Sequence, residues 1–185
     1  MIEGKLVNLR ARELTDVEQS ARWAGDEELQ RLMGDRYPQS LAATEASMRS
    51  YVSRPLGFDD PRFGIETKDG VHIGGLRLMN VSAEDRKARL AIIIGEAPYQ
   101  SRGYGSDALR TLLGFVFGEM NLNRLDLDVF GFNERALAAY RKCGFVEEGR
   151  RRGAQYTRGA YHDAIIMSVL RDEWAPQQAA GAVTR

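Results

Sequence analysis

Three groups of residues in this chain have the types and spacing to do chemistry. The first is Gln100-Ser101-Arg102-Gly103-Tyr104-Gly105-Ser106. Glycines let backbone amides turn toward a ligand, and a helix N-terminus adds partial positive charge, so the segment is chemically a phosphate or pyrophosphate cradle. Gly103-Tyr104-Gly105-Ser106-Asp107-Ala108 also fits the G-x-G-x-x-A dinucleotide fingerprint. That fingerprint wants its first glycine directly after a strand, whereas Glu96 to Arg102 intervene, and its acid would be Asp126 or Asp128, inside a strand. No G-x-x-x-x-G-K-[ST] occurs, which excludes a P-loop. The plain alternative is a tight turn that holds nothing. The second group is Asn133, Tyr140 and Cys143-Gly144-Phe145. Asn is among the best helix N-caps. Tyr140, seven residues on, shares nearly the same helix face, and its phenol (pKa ~10 when unperturbed) serves either the core or a proton transfer. Cys143 has no base close in sequence and reads as packing. The third group is scattered: Glu66, His72, Glu96 and Asp163 are candidate general bases, each more readily read as structural. Arg150-Arg151-Arg152 is the densest basic cluster, either a solvated face or a contact for an acidic group or phosphate.

Positioning these groups falls to alternating strands and helices. Residues 4–12 alternate imperfectly as a strand. Thr15-Asp16-Val17-Glu18 has the form of a capping box and predicts a helix start. A second short helix is expected from Thr44, with loops between the two and around Pro55 to Pro61. Strands follow at 62–67, 72–81 and 88–95, the first two joined by a Lys68-Asp69-Gly70 turn. Ala108, Leu109, Leu112, Leu113, Val116 and Phe117 recur at the spacing of one buried face, which predicts a helix over about 104–119. A strand at 124–130 precedes a helix from Asn133 to Lys142, with Gly144 placed as a left-handed cap. Strands at about 145–150 and 160–169 end the domain. The order βααβββαβαββ implies a mixed α/β (α+β) fold, a mostly antiparallel sheet of about seven strands flanked by helices. Beyond Trp174 periodicity is lost, and 175–185 is expected to be a disordered tail.

Composition narrows the class. With 185 residues, 43% hydrophobic and 28% charged, the chain suits one globular domain. Leu90 to Ile94 is the longest apolar run, far short of the ~20 residues of a membrane helix. The 26 basic and 26 acidic residues cancel, so neither nucleic acid nor a membrane surface is an expected partner. No secretory signal is visible, and one cysteine leaves no disulfide partner within the chain; a cytoplasmic location is expected.

Taken together, Q-S-R-G-Y-G and N-E-R-A-x-x-x-Y-x-x-C-G-F resemble the acetyl-CoA-binding and catalytic motifs of the GNAT acyltransferase superfamily. The resemblance covers about 5–172, which would be an N-acetyltransferase domain. Gly144-Phe145-Val146-Glu147-Glu148-Gly149 and the ending Tyr161-His162-Asp163, Met167, Leu170, Glu173-Trp174 are similar to its Rim-type branch of ribosomal-protein N-terminal and spermidine acetyltransferases. The resemblance implies acetyl-CoA as cosubstrate, no metal, and a small-molecule or peptide amine as acceptor, with a homodimer left open. It implies that Gln100, Ser101, Arg102, Gly103, Tyr104, Gly105 and Ser106 take the pyrophosphate, and that backbone groups of Ile92, Ile93 and Ile94 pair with the pantetheine arm. Asn133 would hydrogen-bond the cofactor while capping its helix, and Tyr140 would protonate the leaving thiolate. Many relatives carry a glutamate early in the fourth strand. Here that place is Arg89, with Ala91 at a usual glycine, so no base carries over. The acceptor's walls are expected from a helical stretch about 26–37, the loop about 54–62 and the last hairpin around 152–161, with Tyr37, Phe58, Tyr156 and Tyr161. Asp59-Asp60 and Asp26-Glu27-Glu28 could form an acidic funnel, whereas Arg54, Arg62 and Arg158 would repel a polyamine, so a peptide N-terminus is the expected acceptor ahead of spermidine.

Overall fold

Helix α4 (Tyr104–Gly118) is the keel of the molecule. All six residues of its expected apolar face, from Ala108 to Phe117, are buried, each large one worth about 1.5–3 kcal/mol of burial. They meet one face of a single eight-stranded sheet, which joins them in one continuous core. The computed structural model describes residues 1–35, 37, 40–54 and 57–174. The strands are β1 (Ile2–Glu3), β2 (Val7–Arg10), β3 (Arg62–Thr67), β4 (His72–Ser82), β5 (Lys87–Ile94), β6 (Arg124–Phe130), β7 (Val146–Thr157) and β8 (Ala160–Leu170). Their spatial order is β1-β2-β3-β4-β5-β6-β8-β7, and every pairing is antiparallel except β5 with β6. A parallel pair needs a crossover, and α4 supplies it.

That parallel pair is short. It runs only through Lys87↔Arg124, Ala88↔Leu125 and Arg89↔Asp126. Beyond it β5 stays with β4 as far as Gly74↔Ile94, while β6 stays with β8 as far as Phe130↔Ala164. The sheet therefore splits between β5 and β6.

The observed order, ββαααβββαβαββ, adds two elements to the expected one. The expected 4–12 strand is the shorter β2, and Ile2–Glu3 ahead of it pairs back on it as β1, too short for alternation to show. Helix α2 (Glu27–Met33) lies within the helical stretch expected about 26–37 but is missing from the expected element order; it is capped by Asp26 accepting the Leu29 N–H (2.8 Å) and stopped by left-handed Gly34. Helix α1 (Val17–Ala24) is preceded by a short 3₁₀ turn, Leu14–Asp16. The capping pair there is Glu13 with Asp16, whose carboxylate accepts the Glu13 N–H (2.8 Å), not the one predicted at Thr15. Helix α3 (Leu41–Val52) starts three residues before Thr44 because Ser40 caps it, accepting the Ala43 N–H. Strand β7 runs to Thr157, beyond the expected 150, and turns into β8 through Arg158 and Gly159, both at positive φ. That is the geometry of a two-residue hairpin turn. The 175–185 segment lies outside the described residues.

Candidate active site

The split in the sheet opens a cleft of about 790 Å³. Its walls include Leu90 to Ile94 of β5, Val129 and Phe130 of β6, Gly105, Ser106 and Leu109 of α4, Ala136, Ala139 and Tyr140 of α5 (Glu134–Lys142), and Leu29, Leu32 and Met33 of α2. Alternation sorts them by face. Ala88, Leu90, Leu127 and Val129 bury toward α4, so Arg89, Asp128 and Phe130 face the other way, toward α2. The cleft thus reaches from the α4–α5 side through the sheet to the α2 side.

On the first side, local rules of chain geometry build an anion cradle. Ser101 and Gly103 both have positive φ, 58° and 91°, and the turn they make delivers the chain into α4. The first helical amides, those of Tyr104, Gly105 and Ser106, have no intrahelical acceptor. Asp107 fixes this end: its buried carboxylate accepts the N–H groups of Leu6 (2.7 Å) and Val7 (3.1 Å), tying α4 to β2. Ser101, Gly103, Gly105 and Ser106 line the cleft, whereas the side chains of Arg102 and Tyr104 do not. Arg102 donates to the Pro98 carbonyl (3.2 Å), and the Tyr104 ring meets Tyr99 edge-on at 5.2 Å. Gln100 also lines the cleft, but its side chain bridges two walls, donating to the Ile94 carbonyl (2.9 Å) and accepting from Arg135 (2.6 Å).

Helix α5 carries the other two predicted residues. Asn133 caps it, its side-chain oxygen accepting the Ala136 N–H (3.2 Å), and lines the cleft. At the far end Gly144 takes φ 93°. The Gly144 N–H reaches the Arg141 carbonyl and the Phe145 N–H the Tyr140 carbonyl, both at 3.1 Å. These are the two hydrogen bonds of a Schellman motif, with its usual apolar contact made by Phe145 and Tyr140, ring centroids 5.6 Å apart. The motif that ends α5 therefore also seats the tyrosine. Burial pushes the Tyr140 phenol up to about 12, so it keeps its proton at neutral pH. Cys143 is buried and donates weakly to the Ser106 carbonyl (3.5 Å); burial pushes its thiol up, away from the thiolate a nucleophile needs.

None of the four candidate bases lines the cleft. Glu66 holds Arg10 (2.5 Å). Glu96 accepts from Gln19 (2.8 Å) and Trp23 (2.9 Å), which hold its carboxyl below the usual range. Asp163 accepts the Gly153 N–H (3.0 Å). His72 is buried against Trp23, ring centroids 4.9 Å apart, and burial lowers it to about 4. The expected acceptor walls are corrected in part. Leu29, Leu32 and Met33, and Ala154 of β7, do line the cleft, but Phe58, Asp59, Asp60, Tyr156 and Tyr161 do not. Asp60 is held by Arg62 and Arg77 instead, and Tyr156 and Tyr161 pair with each other at the exposed hairpin. Sequence reading had not placed Arg135 and Lys142 in the cleft, although their seven-residue spacing puts both on one face of α5.

This sequence and fold match known proteins. Residues 7–146 match the acetyltransferase (GNAT) domain family. The chain belongs to that family. A prophage-derived N-acetyltransferase of Bacillus subtilis, YokL, is 26% identical over 80% of this chain and 81% of its own length. The spermidine N(1)-acetyltransferase of Escherichia coli K12 is 33% identical over 61% of this chain, which spans only 60% of that enzyme. The crystal structure of the Vibrio cholerae spermidine N-acetyltransferase with CoA and spermine superposes with a TM-score of 0.81, over 92% of this chain and 98% of that one, at 24% identity. The chain is therefore a GNAT-fold acyltransferase that uses acetyl-CoA as donor. Its residues fit that donor: orphan amides and the cations of Arg135 and Lys142 suit the phosphates, and the β5 edge left open beyond Arg89 suits an extended amide-bearing arm. Among the described residues no helix is long and apolar enough to cross a membrane.

Proposed function

We propose that this protein acetylates a primary amine by direct attack within a ternary complex, in the cleft between β5 and β6. The single observation that carries the reading is the abrupt end of the β5–β6 pairing at Arg89↔Asp126, which opens one passage to both faces of the sheet. The donor enters from the α4–α5 side, held by amides of residues 101–106, by Asn133 and by the free edge of Ile92 to Ile94. The acceptor enters from the α2 side. The neutral amine nitrogen attacks the thioester carbonyl, an N–C bond forms, and the C–S bond breaks. Tyr140 gives its proton to the departing thiolate, and the proton shed by nitrogen returns through solvent to the phenolate, which restores the acid. Products are an N-acetyl amine and free CoA thiol. Holding the two reactants together supplies much of the acceleration, since aligned groups reach effective molarities of roughly 10⁵–10⁸ M. An acyl-cysteine route gains no support from buried Cys143. A peptide N-terminus or a small amine fits the half-apolar α2 side. Polyamine acetylation is the second reading, because spermidine acetyltransferases stand among the relatives. A reducing compartment, the cytoplasm, suits the unpaired Cys143.

Calorimetry tests the donor site. The wild type binds acetyl-CoA with a dissociation constant in the micromolar range or below, while Gly105→Val, which puts branched carbon at a cradle amide that has only Ile94 within reach, unfolds cooperatively yet loses binding. Normal binding by the valine variant would move the site elsewhere.

A further inference from the structure

On the α2 side of the cleft three strands bring their charges to one point. Arg89 of β5 and Arg151 of β7 both contact the same carboxylate oxygen, Oδ2 of Asp128 on β6. All three side chains line the cleft, beside Met79, Phe130 and Ala154. Two guanidinium forks, each rich in donors, thus share one oxygen, and the cluster keeps an excess positive charge. Asp128 is the one carboxylate among the described residues that line this cleft. The acids nearby are engaged elsewhere: Asp126 is held by Arg124 (3.5 Å), Asp26 caps α2, and Glu28 is held by Arg31 (2.5 Å) and Arg158 (3.1 Å). Arg150, one residue before Arg151, points the opposite way and pairs with Glu147 (2.8 Å), so strand alternation singles out Arg151 for the cleft.

We infer that the acceptor amine carries an anionic group of its own, a carboxylate or a phosphate, which the Arg89–Asp128–Arg151 cluster grips with the guanidinium donors that Asp128 leaves unused. An amine arriving as a bare polycation meets net positive charge at this point; an amino acid or another amine bearing an acid meets two forks shaped for it. This rests on the transferase reading above and narrows its substrate class.

The test is amine-dependent thiol release from acetyl-CoA with the full chain. Amino acids and aminoalkyl phosphates are each compared with their uncharged counterparts, the carboxamide and the alcohol, and with spermidine. The anionic amines should exceed their neutral partners in kcat/KM by about tenfold or more, the factor expected of a charge-assisted hydrogen bond; whichever anion shows the larger ratio identifies the group. Arg151→Gln and Arg89→Gln should each collapse that ratio toward one, Arg151→Lys should restore part of it, and acetyl-CoA affinity should stay as in the wild type. Arg151 is half exposed on an edge strand, so its loss leaves the fold intact. Preference for neutral amines or spermidine, or a ratio that survives both glutamine variants, would overturn the inference and leave the transferase reading standing. Silence with every amine despite normal acetyl-CoA binding would overturn both.

Discussion

At the scale of single residues, the site divides into atoms that hold and one atom that gives. In the proposed reaction Asn133 and the amides of 101–106 would hold, and the Tyr140 hydroxyl would give. A phenol displaced to about 12 by burial is a weaker acid than a free one, but it stays protonated through the whole working range and accepts no competing role as a base. Tyr140→Phe keeps the ring against Phe145 and removes only the proton. Its turnover should fall about 10²-fold or more, the usual size of a general-acid contribution, with acetyl-CoA affinity unchanged. Single-turnover thiol release measures this, and an unaltered chemical rate would give the proton to water. The placing of Asn133 and Tyr140 together on α5 was legible in the sequence because their signals are local: an Asn at a helix start and a Tyr one heptad later. Arg89, Asp128 and Arg151 were not legible as a set. They lie on three strands, and only the β5–β6, β6–β8 and β7–β8 registers bring them together.

Among elements, α4 and α5 were readable from apolar spacing and caps, whereas α2 was expected only as a broad helical stretch about 26–37 with no apolar pattern to bound it. Seven residues make too few turns for a periodic stripe, and only Leu29 of its side chains is buried. Its role comes from tertiary placement over the split sheet, with Arg31 stacked 4.4 Å over the Phe132 ring and Glu28 tied to Arg158 of the last hairpin. The Schellman motif that ends α5 is the element-scale link between stability and chemistry. Gly144→Ala forces a side chain into the left-handed region and should cost about 1–2 kcal/mol of folding stability. Because Phe145 and Tyr140 move with the motif, turnover should fall too, while a control substitution at open, helical Gly114 leaves it intact. Denaturant unfolding and steady-state rates on the same samples check the pairing; lost stability with unchanged kcat would uncouple the cap from Tyr140.

For the molecule as a whole, zero net charge hides strong local ordering of charge. Asp16 is gripped by Arg10 (2.7 Å) behind α1, and Arg10 and Arg12 help burial keep His72 neutral. An unfolded chain protonates that histidine near 6.5, but the folded chain resists until about 4. The unfolded state therefore binds more protons in that window. Stability is fully present above about pH 6.5 and falls as pH drops toward 4, by up to about 1.4 kcal/mol per pH unit. Thermal melts from pH 7.5 to 4.5 should show the fall, and His72→Phe, which keeps a ring against Trp23, should flatten it. An equal slope in the variant would assign the loss to the carboxylates.

All of these scales converge on one reaction in one cleft. Purified protein, acetyl-CoA and a panel of primary amines, followed by thiol release together with mass spectrometry of the amine, test it most directly. The account predicts one mole of free CoA thiol for each mole of amine that gains an acetyl group, with no release when the amine is omitted. Acetyl-CoA that binds but yields neither thiol nor N-acetyl product with any amine would contradict it.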